Sequence, residues 1–255
     1  MAWDGVLVGI CAETVRPSRA ELTERENILI TGGASTGLNT VLQKVTWPGY
    51  TRRIFMIAPT YYLAAGIFKG NEPSKDGIDV DCGYSQRITG IPEDDEGVNL
   101  SILQSHLDNF EGDDETEKPV WQKWTYRYVF YGVPTFSNPT GCIMSLSRRK
   151  HLIEVSNFRS KLTQLDRKYN MLLITDDVYD LLTYTSDPIP PRLVTLDSLS
   201  TEEGFGNTIS NCTFSKLLAP GLRFGFIQGR KSLIHELSTQ YALSPKTKLT
   251  KVALR

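Results

Sequence analysis

The 255-residue chain reads as an α/β protein, a mostly parallel sheet covered by helices on both faces. Three observations predict this. Short apolar runs of strand length alternate with stretches whose apolar residues recur at helical spacing. Several of the runs are apolar at nearly every position, as strands covered on both faces require. The polar residues best suited to chemistry follow predicted strands, at the edge where open parallel sheets hold ligands.

Composition bounds the function. Hydrophobic residues make up 40% and charged residues 22%, enough for one large domain, or for a large and a small one. A net charge of −1 gives no drive toward nucleic acid or an anionic membrane. Cys11, Cys82, Cys142 and Cys212 lack the paired spacing of a zinc site or a disulfide scaffold, which points to a reducing compartment and no metal. No apolar run approaches the roughly 18–20 residues of a membrane span, and the start lacks the basic segment of a signal peptide. A soluble cytoplasmic protein without membrane or nucleic-acid partners is expected.

Residues 1–27 carry no assignable element; the organised domain is expected over 28–240, with a divergent tail at 241–255. Ile28-Leu-Ile-Thr31 is the first strand, Gly32-Gly-Ala-Ser-Thr-Gly37 turns sharply, and Leu38, Val41, Leu42 and Val45 share one helical face. The three pieces read as the start of a parallel βαβ unit. Such a turn aims backbone N–H groups at an anion. It carries neither a Walker Gly-Lys-Ser/Thr nor GxGxxG, so a plain structural turn stands beside the phosphate reading. Arg53-Ile-Phe-Met-Ile57 is a second strand, followed by Pro59-Thr-Tyr-Tyr62 and a helix to Phe68. Residues 78–97 hold a strand or two, residues 101–110 an amphipathic helix, and the charge run at 111–118 a solvated loop. The aromatic and β-branched stretch from Tyr126 to Tyr131 is a strand that enters a turn-rich loop at 132–141. Ser147 suits the N-cap of a helix carrying Leu152, Val155, Phe158, Leu162, Leu165 and Tyr169. Met171-Leu-Leu-Ile-Thr175 is a buried strand that ends on Asp176-Asp-Val-Tyr179. After a proline-rich loop at 187–191 come strands at 208–214 and 224–228, then a helix at 233–243.

The chemistry concentrates around Lys216. A lysine sequestered from water loses its charge readily and becomes a nucleophilic amine toward carbonyls. Thr213, Ser215 and Arg223 surround it in sequence, and hydroxyls with a guanidinium fork suit phosphate oxygens. A phosphate-bearing aldehyde fits such a set, and pyridoxal phosphate is the common one. A Ser-Lys pair alone reads equally as a surface loop. Asp176 closes a buried apolar strand and is too costly there to leave unpaired. Its neighbour Asp177 points the other way if the strand period continues.

Phe136-Ser-Asn-Pro-Thr-Gly141, Ile174-Thr-Asp-Asp-Val-Tyr179, Thr213-Phe-Ser-Lys-Leu-Leu-Ala-Pro-Gly-Leu-Arg223 and, upstream, Thr31-Gly-Gly-Ala-Ser-Thr-Gly-Leu38 together resemble the class I/II aminotransferases, fold-type I pyridoxal-phosphate enzymes. With Ala58-Pro-Thr-Tyr-Tyr62, the resemblance is to the 2-aminoadipate, aromatic and valine–pyruvate transaminase-like subgroup and covers residues 28–237. It implies the large domain of that fold and transfer of an amino group between an amino acid and a 2-oxo acid. Lys216 would hold the cofactor as a Schiff base and act as acid and base. Asp176 would pair with the pyridine nitrogen. Asn138 and Tyr179 would bond the ring's phenolic oxygen and tune the Schiff base, and Tyr61 would stack on the ring. Ala34, Ser35, Thr213, Ser215 and Arg223 would hold the phosphate; the family usually has serine where Thr213 stands. His106, His151 and His235 match nothing catalytic. The same scaffold serves carbon–sulfur lyases and cyclopropane-carboxylate synthases, and a non-catalytic protein with the cofactor fold is a further alternative. A hydrolase is not indicated, because neither a Ser-His-Asp set nor a G-x-S-x-G elbow is present.

The family's chains are longer at both ends, with an N-terminal arm before the region matching Ile28 and a small domain after Leu237. Residues 241–255 resemble nothing in it. Two subunits share each site in that family, which implies a homodimer. Without the arm and small domain, apolar positions on the helices at 38–45 and 233–243 are expected to lie uncovered.

Overall fold

A computed structural model describes residues 25–47, 49–70, 87–109, 120, 123–157, 169–182, 188–200 and 206–243. Residues 1–24 with Cys11, the charge run at 111–118, Phe158, Leu162 and Leu165 of the expected helix, Cys82 and residues 244–255 lie outside them. The strands are β1 (Ile28–Thr31), β2 (Arg53–Ala58), β3 (Ile88–Asp94), β4 (Gly97–Val98), β5 (Tyr128–Gly132), β6 (Met171–Asp176), β7 (Thr208–Thr213) and β8 (Gly225–Gln228). The helices are α1 (Ala34–Val45), α2 (Tyr62–Gly70), α3 (Leu100–Asn109), α4 (Leu146–Asn157), α5 (Leu193–Ser200) and α6 (Lys231–Leu243).

The strands form one sheet in the order β1-β8-β7-β6-β5-β2-β3-β4. β3, β2, β5, β6 and β7 run parallel, while the β1–β8, β8–β7 and β3–β4 pairs are antiparallel. Successive side chains of the central strands face opposite layers. Ile54, Met56, Val129, Tyr131, Leu172 and Ile174 pack with α1, α2 and α6. Phe55, Ile57, Tyr128, Phe130, Met171 and Leu173 pack with α3, α4 and α5. Both faces are therefore apolar, and burying each large side chain contributes about 1.5–3 kcal/mol.

Several expectations change. The parallel βαβ unit does not form between neighbouring strands: β1 pairs with β8, antiparallel, and β8, β7, β6 and β5 separate it from β2. The partner was chosen by tertiary packing. Gly225 opens β8 where an added Cβ would lie 2.6 Å from the Cys212 carbonyl and 2.9 Å from Gly33 Cα, and only its absence lets the chain close in. Helix α1 starts at Ala34, inside the expected turn, behind Gly33 at φ 98°. Helix α4 is capped by Ser145, not Ser147: Ser145 Oγ accepts from the Arg148 N–H at 3.1 Å, and Ser147 lies in the first turn. Helix α5 was not expected, because Pro190 and Pro191 immediately before it read as loop; its Leu193 and Val194 are buried.

The expected uncovered helix faces are also absent. Leu38, Val41, Leu42 and Val45 on α1, and Leu233, Ile234 and Leu237 on α6, are all buried against the sheet. The exposed large apolar side chains include Tyr62 at 75%, Leu218 at 70% and Leu222 at 60%. These flank residues of the cavity described next. Among the described residues no helix is long and apolar enough to cross a membrane.

Candidate active site

The topology gathers the predicted residues. Parallel strands end at one edge, so the residues after β1, β2, β5 and β7 and the last residue of β6 meet there. β8 runs the other way, which brings Arg223, just before its start, to the same edge. Ala34, Ser35, Tyr61, Asn138, Asp176, Tyr179, Thr213, Ser215, Lys216 and Arg223 all line one cavity of about 210 Å³.

Asp176 forms the cavity's carboxylate. Its Oδ2 accepts from the Tyr131 hydroxyl at 2.8 Å and its Oδ1 from Asn211 Nδ2 at 2.9 Å. Burial dominates nonetheless and raises the carboxyl from 3.8 to about 6, against those two donors. The Tyr131 phenol is itself held well above its ordinary value by burial and by the neighbouring carboxylate. Asp177 turns away from the cavity lining and accepts from Thr175 Oγ1 at 2.6 Å and Ser210 Oγ at 2.5 Å. On the same side, Arg192 donates to Asp180 at 2.5 Å, within an interior where such a pair requires close geometry.

Across the cavity, Asn138 Nδ2 donates to the Tyr179 hydroxyl at 3.3 Å. Lys216 Nζ lies 5.7 Å from the centre of the Tyr179 ring. The amide, the phenol and the amine therefore converge on one region. Tyr61 lines the cavity with its ring 5.6 Å from that of Tyr62, and burial first of all raises its phenol. Lys216 is exposed, unlike the sequestered lysine expected from sequence. It sits on the turn beyond β7, and the apolar residues after it do not shield it; Leu218 is itself turned to solvent.

The third corner gathers donor groups: backbone amides, two hydroxyls and a guanidinium. The first intrahelical bond of α1 runs from the Gly37 N–H to the Gly33 carbonyl at 3.0 Å, so the amides of Ala34 and Ser35 precede the ladder. Arg223, at φ 48°, reaches back to the carbonyls of Gly32 at 3.0 Å and Pro220 at 3.2 Å. Gly33 makes room for it: a Cβ there would fall 2.6 Å from Arg223 Nη2. Thr213 Oγ1 and Ser215 Oγ lie 2.9 Å apart and share a hydrogen bond.

Asn211 and Tyr131 were not among the predicted site residues. Both lie inside strands, where a polar side chain gives no signal of the face it takes. The pairing of Asn211 with Asp176 across β6 and β7 is what brings them together. An amide inside an otherwise buried strand was the one clue in the sequence. Helix α4 adds a supporting residue: Arg149, wholly buried, donates to the carbonyls of Pro134, Met144, Pro190 and Pro191 and to Thr135. It pins the loop that carries Asn138.

No family model matches the sequence. An uncharacterised protein of Saccharomyces cerevisiae is 39% identical over 222 residues, covering 80% of this chain and 45% of the relative. The aromatic-amino-acid aminotransferase 1 of Thermococcus litoralis is 29% identical over 83% of this chain and 40% of its own. The crystal structure of Pyrococcus horikoshii kynurenine aminotransferase, in complex with PMP, superposes with a TM-score of 0.67 at 27% identity, over 92% of this chain and 47% of that one. The chain thus spans less than half the length of each of these three relatives.

Proposed function

We infer that this chain is the cofactor-binding large domain of a pyridoxal-phosphate-dependent aminotransferase; its relatives include named aminotransferases, and its solved neighbours are fold-type I aminotransferases. The observation that carries the reading is the three-cornered cavity. A buried carboxylate, a lone amine beside a phenol–amide pair, and an anion cradle at a helix start face one another within it. Each corner matches one part of the cofactor. Asp176 is cavity-facing, raised to about 6 and without a salt bridge among the described residues, so a protonated ring nitrogen suits it. The amides of Ala34 and Ser35, the hydroxyls of Thr213 and Ser215, and Arg223 suit a phosphate. Asn138 and Tyr179 suit a phenolic oxygen, and Tyr61 a ring face.

When bound, the cofactor supplies a reactive aldehyde carbon and a ring that accepts electrons. The chain's own residues do the rest. Lys216 Nζ would hold the cofactor through its aldehyde carbon, and as a free amine would carry a proton from the substrate α-carbon to that cofactor carbon. Asp176 would hold negative charge beside the ring nitrogen and so favour its protonated form. Tyr179, oriented by Asn138, would donate a hydrogen bond to the phenolic oxygen. Aromatic amino acids, 2-aminoadipate or similar compounds are the proposed amino donors, with a 2-oxo acid as acceptor. A second copy of the chain is the proposed cover for Tyr62, Leu218 and Leu222, giving a homodimer.

The test is spectroscopic. Protein mixed with pyridoxal phosphate should show a visible band that Lys216→Ala removes. No band in the wild type refutes the reading. Product analysis then separates transamination, which retains the amine, from lyase chemistry, which releases ammonia.

A further inference from the structure

Given the cofactor site proposed above, we propose that Asn211 is the positioning residue for Asp176, tying the carboxylate to the first residue of α1. In doing so it sets the distance between the ring-nitrogen and phosphate ends of the cavity. Asn211 lies directly across from Asp176 in the β6–β7 pairing. Both protons of its amide are committed, one to Asp176 Oδ1 at 2.9 Å and one to the Ala34 carbonyl at 3.0 Å. Ala34 belongs to the anion cradle. One side chain therefore joins the two ends.

The amide has only one workable sense. Turned over, its oxygen would face a carboxylate and a carbonyl, both acceptors. In the observed sense Asn211 Oδ1 is buried without a hydrogen-bond partner. Leucine has similar bulk and would leave no such orphan, so the core gains nothing from an amide at this position. Its contribution lies in the two bonds. The neighbouring helix is shaped to allow them: a Cβ on Gly37 would come within 2.6 Å of Asn211 Oδ1. α1 can approach β7 closely enough for Ala34 to be reached because residue 37 is glycine.

Other groups around Asp176 do not make this link. Tyr131 holds the second carboxylate oxygen, from β5. Asp177, Lys216, Tyr61 and Tyr179 act on the carboxylate or its neighbours through their charge. Among these hydrogen bonds, only that of Asn211 continues to α1.

Asn211→Leu in the 255-residue chain tests the proposal with two readouts. The carboxyl ¹³C signal of Asp176, identified by its disappearance in Asp176→Asn, gives the titration midpoint in cofactor-free protein. Losing a donor to the charged form should raise that midpoint by about one unit. Equilibrium binding of pyridoxal phosphate and of pyridoxal gives the phosphate's contribution as a ratio of Kd values. That ratio should fall about tenfold once the helix start is no longer held. A purely structural asparagine would move the melting temperature and leave both readouts in place, which overturns the proposal. Should Asn211→Leu not fold, Asn211→Thr, whose hydroxyl cannot span both acceptors, is judged by the same two criteria. A wild type that binds neither ligand defeats the cofactor reading, and the carboxyl titration then decides the role of Asn211 alone.

Discussion

Replacing Asp176 by asparagine should stabilise the cofactor-free chain near pH 8 and abolish cofactor retention. Burial raises this carboxyl from 3.8 to about 6. The folded state therefore keeps its proton at pH values where the unfolded chain has lost it. Stability falls as pH rises through that window, and the whole loss stands above pH 6. The shift corresponds to about 3 kcal/mol at most, because the residue lines the cavity and is 8% exposed. Asparagine preserves the hydrogen bonds. Its oxygen accepts from Asn211, and its nitrogen donates to the Tyr131 hydroxyl, which rotates to accept. Urea denaturation of both proteins should show the variant more stable by about 3 kcal/mol near pH 8, and by less than about 1 kcal/mol near pH 4. A difference independent of pH, or a wild type that is the more stable near pH 8, would refute the claim that desolvation dominates this carboxylate.

Gly33→Ala, at φ 98° and with a new Cβ 2.6 Å from Arg223 Nη2, should weaken pyridoxal phosphate binding about tenfold by titration calorimetry and leave pyridoxal unaffected. Arg149→Met strands the carbonyls of Pro134, Met144, Pro190 and Pro191, so the chain should lose at least about 3 kcal/mol in a thermal melt. Lysine should not restore it, because an ammonium cannot serve acceptors so widely spread. Light scattering should give a dimer that Leu218→Ser with Leu222→Ser dissociates; a wild-type monomer at micromolar concentration rules out those side chains as an interface.

Strands were legible wherever both faces are covered. Residues such as Met171, Leu172, Leu173 and Ile174 are apolar in succession because one layer takes the odd positions and the other the even ones. α5 was hidden by two preceding prolines, and the cap of α4 was displaced by two residues, since neighbouring serines offer the same oxygen. Asp177 was correctly set apart from Asp176, because alternation along a strand is local. The partner of β1 was not local, and its antiparallel pairing with β8 depends on the close approach that Gly225 permits.

By itself, the sequence determined which polar residues stand beside strand ends, and all ten predicted ones are among the residues that line the cavity, because motif order and strand order are both written along the chain. The tertiary structure alone decided what surrounds them. Tyr131 and Asn211 reach Asp176 from β5 and β7, 45 and 35 residues away, and no local pattern records such a meeting. Burial is likewise a property of what packs above a residue. Asp176, held at a strand end between Tyr131 and Asn211, keeps only 8% of its surface exposed, while Lys216, on the turn beyond β7, is left open to water.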